Sequence, residues 1–252
     1  MSREHLWPRW AQRTFDSAAM KQPVAHSLHD GGGPAYKAWD AEVFSATLKR
    51  VCERCNNGWM SALEAGAQPH AEPLLLGEVR TLDGDAQRAI SMWAYLKCLL
   101  FVAAAGDAMA EALAPAYPTF FDLQSEGLLP LHTSIFTARH IGPRQGQYQH
   151  RLLANNPDIP SLFVQTFTIR QLTVQVVKNY HVRAPIDLER DPTVANRDRR
   201  IWPVGLSFVW PTGPGLDDDG LTIYTGLQTR SRRWTGNRAA RRASARARSR
   251  HR

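Results

Sequence analysis

A Glu-His step near the N-terminus and a CxxC pair further along contain the residue types in this chain most suited to chemistry. Glu4 and His5 are adjacent, so they offer one carboxylate beside one imidazole. A carboxylate can hold a divalent cation while an imidazole takes a proton from water, which is how metal-assisted hydrolysis is divided between side chains. Cys52 and Cys55, followed directly by Asn56, form a compact two-sulfur grip for a metal ion. The two motifs predict a hydrolytic metal site.

The residues around both motifs carry a family resemblance. The segments from Ser2 to Trp10 and from Val51 to Glu64 together resemble the HNH endonuclease family, in the subgroup whose ββα-metal finger is braced by a structural zinc. The resemblance covers about the first 65 residues and is a match of motifs. No second family is indicated by the rest of the chain.

The resemblance implies an activity and a set of site residues. The activity is divalent-cation-dependent hydrolysis of DNA phosphodiester bonds, leaving 5′-phosphate and 3′-hydroxyl ends. By resemblance, the general base is His5, the ligands of a catalytic Mg²⁺ or Mn²⁺ ion are Glu4 and Asn56, and the ligands of a structural Zn²⁺ are Cys52 and Cys55.

The zinc ligands depart from the family pattern. A closed structural zinc site takes four ligands, and the chain has three cysteines, with Cys98 inside an apolar run. Family members carry another CxxC shortly before the Glu-His step, whereas three residues precede Glu4 here. We therefore expect the natural start to lie upstream of Met1, and His26 and His29 are the alternative source of the missing ligands.

Each motif also has a plainer interpretation. A CxxC pair can be a redox turn, although the residues after Cys55 favour a metal knuckle. His5 could be an ordinary surface histidine. Asn57 and Gly58 could simply form a turn, which leaves Asn56 as the preferred ligand. Trp59 is expected to pack in the finger core, and Cys98 to be a small buried hydrophobic residue.

The positive charge is concentrated at the C-terminus. The formal charge is +8 for 252 residues, and ten arginines but no acid lie between Gly220 and Arg252. The remaining residues carry 21 Lys and Arg against 23 Asp and Glu, a formal −2. We predict a disordered basic tail that contacts nucleic-acid phosphates, the alternative being a solubility tail. Its predicted phosphate-binding residues are Arg238, Arg241, Arg242, Arg246, Arg248 and Arg250.

Composition also sets expectations for compartment and core. Hydrophobic residues make up 43% of the chain, enough for a substantial core. Three cysteines are too few for a disulfide framework, and the first residues do not have the charged and then apolar pattern of a secretory signal peptide. A cytoplasmic location is therefore expected. The longest apolar run, Cys98 to Ala105, is far shorter than the ~20 residues that cross a bilayer. We expect no contact with membranes.

Periodicity predicts an α+β fold. A finger over residues 1–65 precedes an α+β domain of unassigned role over 66–230 and a disordered tail over 231–252. Lys21 to Pro34, with its Gly triplet and two prolines, is predicted to be a loop. Apolar positions at helical spacing predict a central core helix, and alternation predicts mainly antiparallel strands. The predicted helices are Asn57 to Ala67, Ala86 to Ala105 and Thr119 to Glu126, and the predicted strands are Thr47 to Val51, Ile135 to Ala138, Phe163 to Ile169, Leu172 to Val177 and, at an edge, Ile201 to Trp210.

The sequence thus favours an HNH-type endonuclease acting on DNA. The alternative is a catalytically inactive zinc-knuckle protein that binds nucleic acid or another partner. Metal-dependent nicking of plasmid DNA distinguishes the two. Nothing in the residues favours a particular oligomeric state.

Overall fold

The computed structural model describes residues 2–15, 23–29, 37–42, 46–105, 116–143, 146–153, 162–179 and 191–225. The basic tail, with the six arginines predicted to bind phosphates, lies outside these residues. The described part combines helices with mainly antiparallel sheets, so the chain has an α+β fold. None of its described helices is both long and apolar enough to cross a bilayer.

The strands form three sheets. In chain order the described strands are β1 (Ser2–His5), β2 (Pro23–His29), β3 (Lys37–Glu42), β4 (Thr47–Val51), β5 (Arg80–Leu82), β6 (Thr133–Arg139), β7 (Gly146–Leu153), β8 (Leu162–Ile169), β9 (Leu172–Asn179), β10 (Asp198–Trp202) and β11 (Phe208–Trp210). Strands β1 and β4 form an antiparallel ribbon, and β5 pairs with β11. The large sheet has the order β10-β6-β9-β8-β7-β2-β3, in which only the β2–β7 pairing is parallel.

The helices lie between and after these strands. They are a 3₁₀ helix (Arg9–Thr14), α1 (Glu53–Cys55), a π-helical segment (Asn56–Met60), α2 (Ser61–Leu75), α3 (Gly84–Ala105), α4 (Ala116–Gln124) and α5 (Asp218–Thr225). The predicted central helix is confirmed as α3. Its start is fixed by Asp83, whose Oδ1 accepts a hydrogen bond from the Ala86 N–H at 2.9 Å, as in an N-cap.

The strand predictions are confirmed in β4, β6, β8 and β9. The single edge strand predicted over Ile201 to Trp210 is divided in the structure: Ile201 and Trp202 end β10 at the edge of the large sheet, whereas Phe208–Trp210 forms β11, which pairs with β5. The predicted loop from Lys21 to Pro34 is wrong, because Pro23–His29 forms β2 and pairs with both β3 and β7. Pro23 is the first residue of the strand, a position where proline is tolerated. His26 and His29 thus lie in the seven-stranded sheet, whereas Cys52 and Cys55 follow β4 of the separate ribbon.

The N-terminal segment belongs to the main hydrophobic core. Trp7 is 1% exposed, and its ring lies 5.0 Å from Phe101 of α3 and 6.3 Å from Phe167 of β8. The ring of Trp93 packs edge-on to Phe167 at 5.5 Å. The domain boundary predicted at residue 65 falls inside α2. Packing against α3 is therefore what positions the residues that precede and follow Trp7.

Candidate functional site

Glu4 and His5 are the last two residues of strand β1. Glu4 lies opposite Leu48 of β4, and His5 lies opposite Thr47. Leu48 is buried and Thr47 is exposed, so the two neighbouring residues of β1 lie on opposite sides of the ribbon. Glu4 is on the side that packs towards the helices.

A buried lysine meets Glu4 on that side. Lys97, in the middle of α3, is 1% exposed. Its Nζ lies 3.5 Å from Oε1 of Glu4 and donates to the main-chain carbonyl of His5 at 3.2 Å. The same ammonium forms an ion pair with the carboxylate of Glu64 on α2. One cation therefore joins β1, α2 and α3 beside the predicted catalytic residues.

Asn56 completes this cluster from the start of the π-helical segment. Its side chain hydrogen-bonds to Glu4, and its Nδ2 also lies 3.5 Å from the carbonyl of Arg3. Asn57 is exposed. The structure thus brings together Glu4 and Asn56, the two residues that the family resemblance makes ligands of the catalytic cation.

Some neighbours of Glu4 raise the pKa of its carboxyl group, and others lower it. Burial raises its pKa most, and the negative charge of Glu64 raises it further. The charge and hydrogen bond of Lys97, with the hydrogen bond from Asn56, lower it. The net result is a raised pKa, because the loss of hydration outweighs one partly shared cation.

The donor atoms near Glu4 suit a hard divalent cation. Carboxylate and amide oxygens are the ligands that Mg²⁺ prefers, and Mg²⁺ usually keeps several waters and uses one or two carboxylates. Glu4 with Asn56 fits such a partly hydrated ion, and Glu64 keeps the cluster net negative despite Lys97. No group of three or more His, Cys, Asp or Glu side chains capable of holding a metal ion occurs in the described ranges.

Cys52 and Cys55 form a tight turn at the end of β4. The Cys55 N–H donates to Sγ of Cys52 at 3.0 Å, which caps α1. A side-chain hydrogen bond between the thiols of Cys55 and Cys52 is the main reason that the pKa of Cys55 is lowered, and Tyr117 on α4 donates a further hydrogen bond to Cys55. Two thiolates are half of a tetrahedral zinc site. A closed zinc site does not fit the described residues alone.

Trp59 follows this turn and packs against a helix outside the predicted finger of residues 1–65. Its ring lies 5.9 Å from Phe120, 5.7 Å from Phe121 and 6.0 Å from Tyr117, all on α4. Helix α4 therefore contacts Trp59 through three aromatic rings and the Cys55 thiol through Tyr117, whereas Cys52 stays exposed. The predicted burial of Cys98 is confirmed, and burial raises the pKa of its thiol.

Sequence reasoning missed the ion cluster and a second buried contact. Lys97 was detectable as the one charged residue within the apolar stretch from Ile90 to Phe101. His140 has no partner at ligand spacing in the sequence, but in the fold its Nε2 lies 2.9 Å from Oδ1 of Asp218. That contact joins the end of β6 to the first turn of α5, away from Glu4, and ties these two elements together.

Comparisons of the chain with protein-family models, curated proteins and solved structures give no match.

Proposed function

We propose that this chain is an HNH-type endonuclease that hydrolyses DNA phosphodiester bonds with a divalent cation. The observation that carries the proposal is the contact between Glu4 and Asn56. These residues come from different elements, and the family resemblance selected both as cation ligands. Two ligands of one ion must lie close together, and this contact brings them within reach of a shared ion.

The order of elements also supports a ββα-metal finger. Strand β1 carries Glu4 and His5, β4 pairs with it antiparallel, and α1, the π-helical segment and α2 follow directly. The chain between the two strands includes the 3₁₀ helix, β2 and β3, an insertion into a minimal finger. Asn56 is the first residue of the π-helical segment, and its side chain lies next to β1.

In this mechanism His5 takes the proton from the attacking water, since an imidazole is the side chain best matched to neutral pH. Glu4 and Asn56 hold the cation, which when bound would stabilise charge on the phosphoryl and leaving oxygens. Lys97 neutralises Glu64 and fixes β1 through the carbonyl of His5. That contact limits movement of the His5 backbone relative to Glu4.

One observation favours the alternative of an inactive nucleic-acid-binding protein. The ammonium of Lys97 lies 3.5 Å from Glu4. A lysine in that position already supplies the positive charge that a metal ion would otherwise bring to the carboxylate. A protein of this kind would bind DNA without nicking it at any concentration of Mg²⁺ or Mn²⁺.

Plasmid nicking by the His5→Ala variant tests the proposal. Losing a general base typically costs ~10²- to 10⁴-fold in rate, while DNA affinity measured in EDTA should stay close to that of the parent protein. His70→Ala on α2 is the matched control and should nick normally. Nicking by His5→Ala at the parental rate, or no cation-dependent nicking by the parent, would reject the assignment.

A further inference from the structure

The ribbon of β1 and β4 contains a β-bulge next to the predicted catalytic residues. Ser2 pairs with Val51 and Glu4 pairs with Leu48, so the register shifts between them. One residue of β1, Arg3, therefore opposes two residues of β4, Lys49 and Arg50. Bulges of this kind interrupt the alternation of a strand and redirect its side chains, often beside active sites.

Burial along β4 shows the effect. Leu48 and Val51 are each 6% exposed and belong to the core, whereas Lys49 and Arg50 between them are both exposed. In an unbroken strand, two consecutive residues would lie on opposite faces. The bulge instead leaves two consecutive cations on the solvent side, opposite the exposed Arg3.

These cations share a side of the ribbon with His5. Residues two apart in a strand lie on the same face, so Arg3 and His5 lie on one side of β1 and Glu4 lies on the other. His5 also pairs with the exposed Thr47. We name Arg3, Lys49 and Arg50 the basic ribbon face. It carries three positive charges next to the imidazole, although residues before Gly220 carry a net formal −2.

We infer that the basic ribbon face binds backbone phosphates of DNA beside His5. Polyanion binding depends on local positive charge rather than on the net charge of a domain. The inference rests on the proposed nuclease function for its choice of DNA, and it places part of the DNA-binding surface in the folded body rather than in the tail.

The test measures duplex DNA binding by fluorescence anisotropy in EDTA, using the full chain over a series of KCl concentrations. Removing one phosphate-binding cation should lower the slope of log K against log salt by about 0.9. The Lys49→Gln/Arg50→Gln variant should therefore show a slope lower by about 2. Lys49→Arg/Arg50→Lys keeps both charges and should retain the parental slope.

Arg199→Gln/Arg200→Gln is the matched control, because it removes two consecutive exposed cations from another strand, β10. Its slope should equal that of the parent. An unchanged slope in the Lys49/Arg50 variant, or an equal decrease in both variants, overturns the inference. Because EDTA prevents cation-dependent cleavage, this outcome is independent of the nicking experiments. A flattened slope with normal nicking by His5→Ala rejects His5 as the general base, and a flattened slope with no cation-dependent nicking by the parent rejects the nuclease, while either result keeps the binding face.

Discussion

The ammonium of Lys97 lies 3.5 Å from the carboxylate of Glu4, although the two residues are 93 positions apart in sequence. Lys97 comes from the central helix α3, and Glu4 comes from the first strand. The N-terminal site is therefore held by the main core and not only by the ribbon of β1 and β4. A change in the middle of α3 is expected to act directly on the geometry of Glu4 and His5.

We predict that Lys97→Met strongly destabilises the protein. The substitution keeps an unbranched side chain with an apolar stem but leaves Glu64 and Glu4 in a largely buried cluster without their cation. Breaking a buried ion pair from one side typically costs about 3–5 kcal/mol. Urea unfolding followed by circular dichroism measures the destabilisation as a lower midpoint with an unchanged slope.

Two variants show whether the charge pairing causes this destabilisation. Lys97→Met/Glu64→Gln removes a carboxylate together with the cation, so it should be more stable than Lys97→Met alone. Lys178→Met, on β9, removes a half-buried lysine that donates to the carbonyl of Leu131, and should cost about 1 kcal/mol. Strictly additive effects of the Lys97 and Glu64 substitutions would show that the pair does not interact.

Local patterns predicted the elements of the fold better than the contacts between them. Helix α3 and the strands β8 and β9 follow from sequence periodicity, because apolar residues recur at helical spacing in α3 and alternate with polar residues in the two strands. The strands are nevertheless buried on both faces, which the alternation did not predict. The partners of Lys97 and the pairing of β2 depend on residues distant in sequence, which no local period encodes. The bulge had a local signal: in Thr47 to Val51 two consecutive charged residues separate two apolar ones.

Asn56 and Asn57 offer a matched pair for testing the cation site. Asn56 hydrogen-bonds to Glu4, whereas Asn57 is exposed. We predict that Asn56→Ala raises the Mn²⁺ concentration needed for half-maximal nicking at least about tenfold, as for losing a group that supports a metal site. Asn57→Ala should behave like the parent. Mn²⁺ affinity measured by electron paramagnetic resonance should fall in Asn56→Ala and stay at the parental value in Asn57→Ala. An equal effect of both variants would exclude Asn56 as a ligand.

Zinc should bind weakly to the chain from Met1 to Arg252. Cys52 and Cys55 supply two of the four ligands of a closed site, and zinc affinity depends strongly on a complete ligand set. We expect well under one zinc per chain after dialysis, measured by atomic absorption, and little change in melting temperature on adding a chelator. One tightly held zinc per chain, absent from Cys52→Ser/Cys55→Ser, would contradict this expectation.

The ion pair between Arg13 and Glu72 should make stability depend on pH. The Arg13 guanidinium binds both oxygens of Glu72, one of them at 2.7 Å, and thereby lowers the pKa of that carboxyl below its ordinary value of 4.5. A lowered carboxyl pKa gives stability that is present above the unfolded value and lost as pH falls through the folded one. Glu72→Gln should therefore be less stable than the parent at pH 7, with the difference closing below pH 4.5. Glu78→Gln removes a carboxylate from a more exposed pair with Arg80 and should change little at either pH.

The basic tail should add a second, separable contribution to DNA binding. Deleting residues 235–252 removes seven arginines, and if about half of them contact phosphates, the salt slope should fall by roughly 3. Replacing the same arginines with glutamine at constant length should give the same result, because charge rather than chain length is responsible.

Contacts at distant sites are expected to add, so deleting the tail from the Lys49→Gln/Arg50→Gln variant should lower the slope by the sum of the two effects. An unchanged slope after tail deletion would assign phosphate binding to the folded body, where the basic ribbon face is the first surface to test.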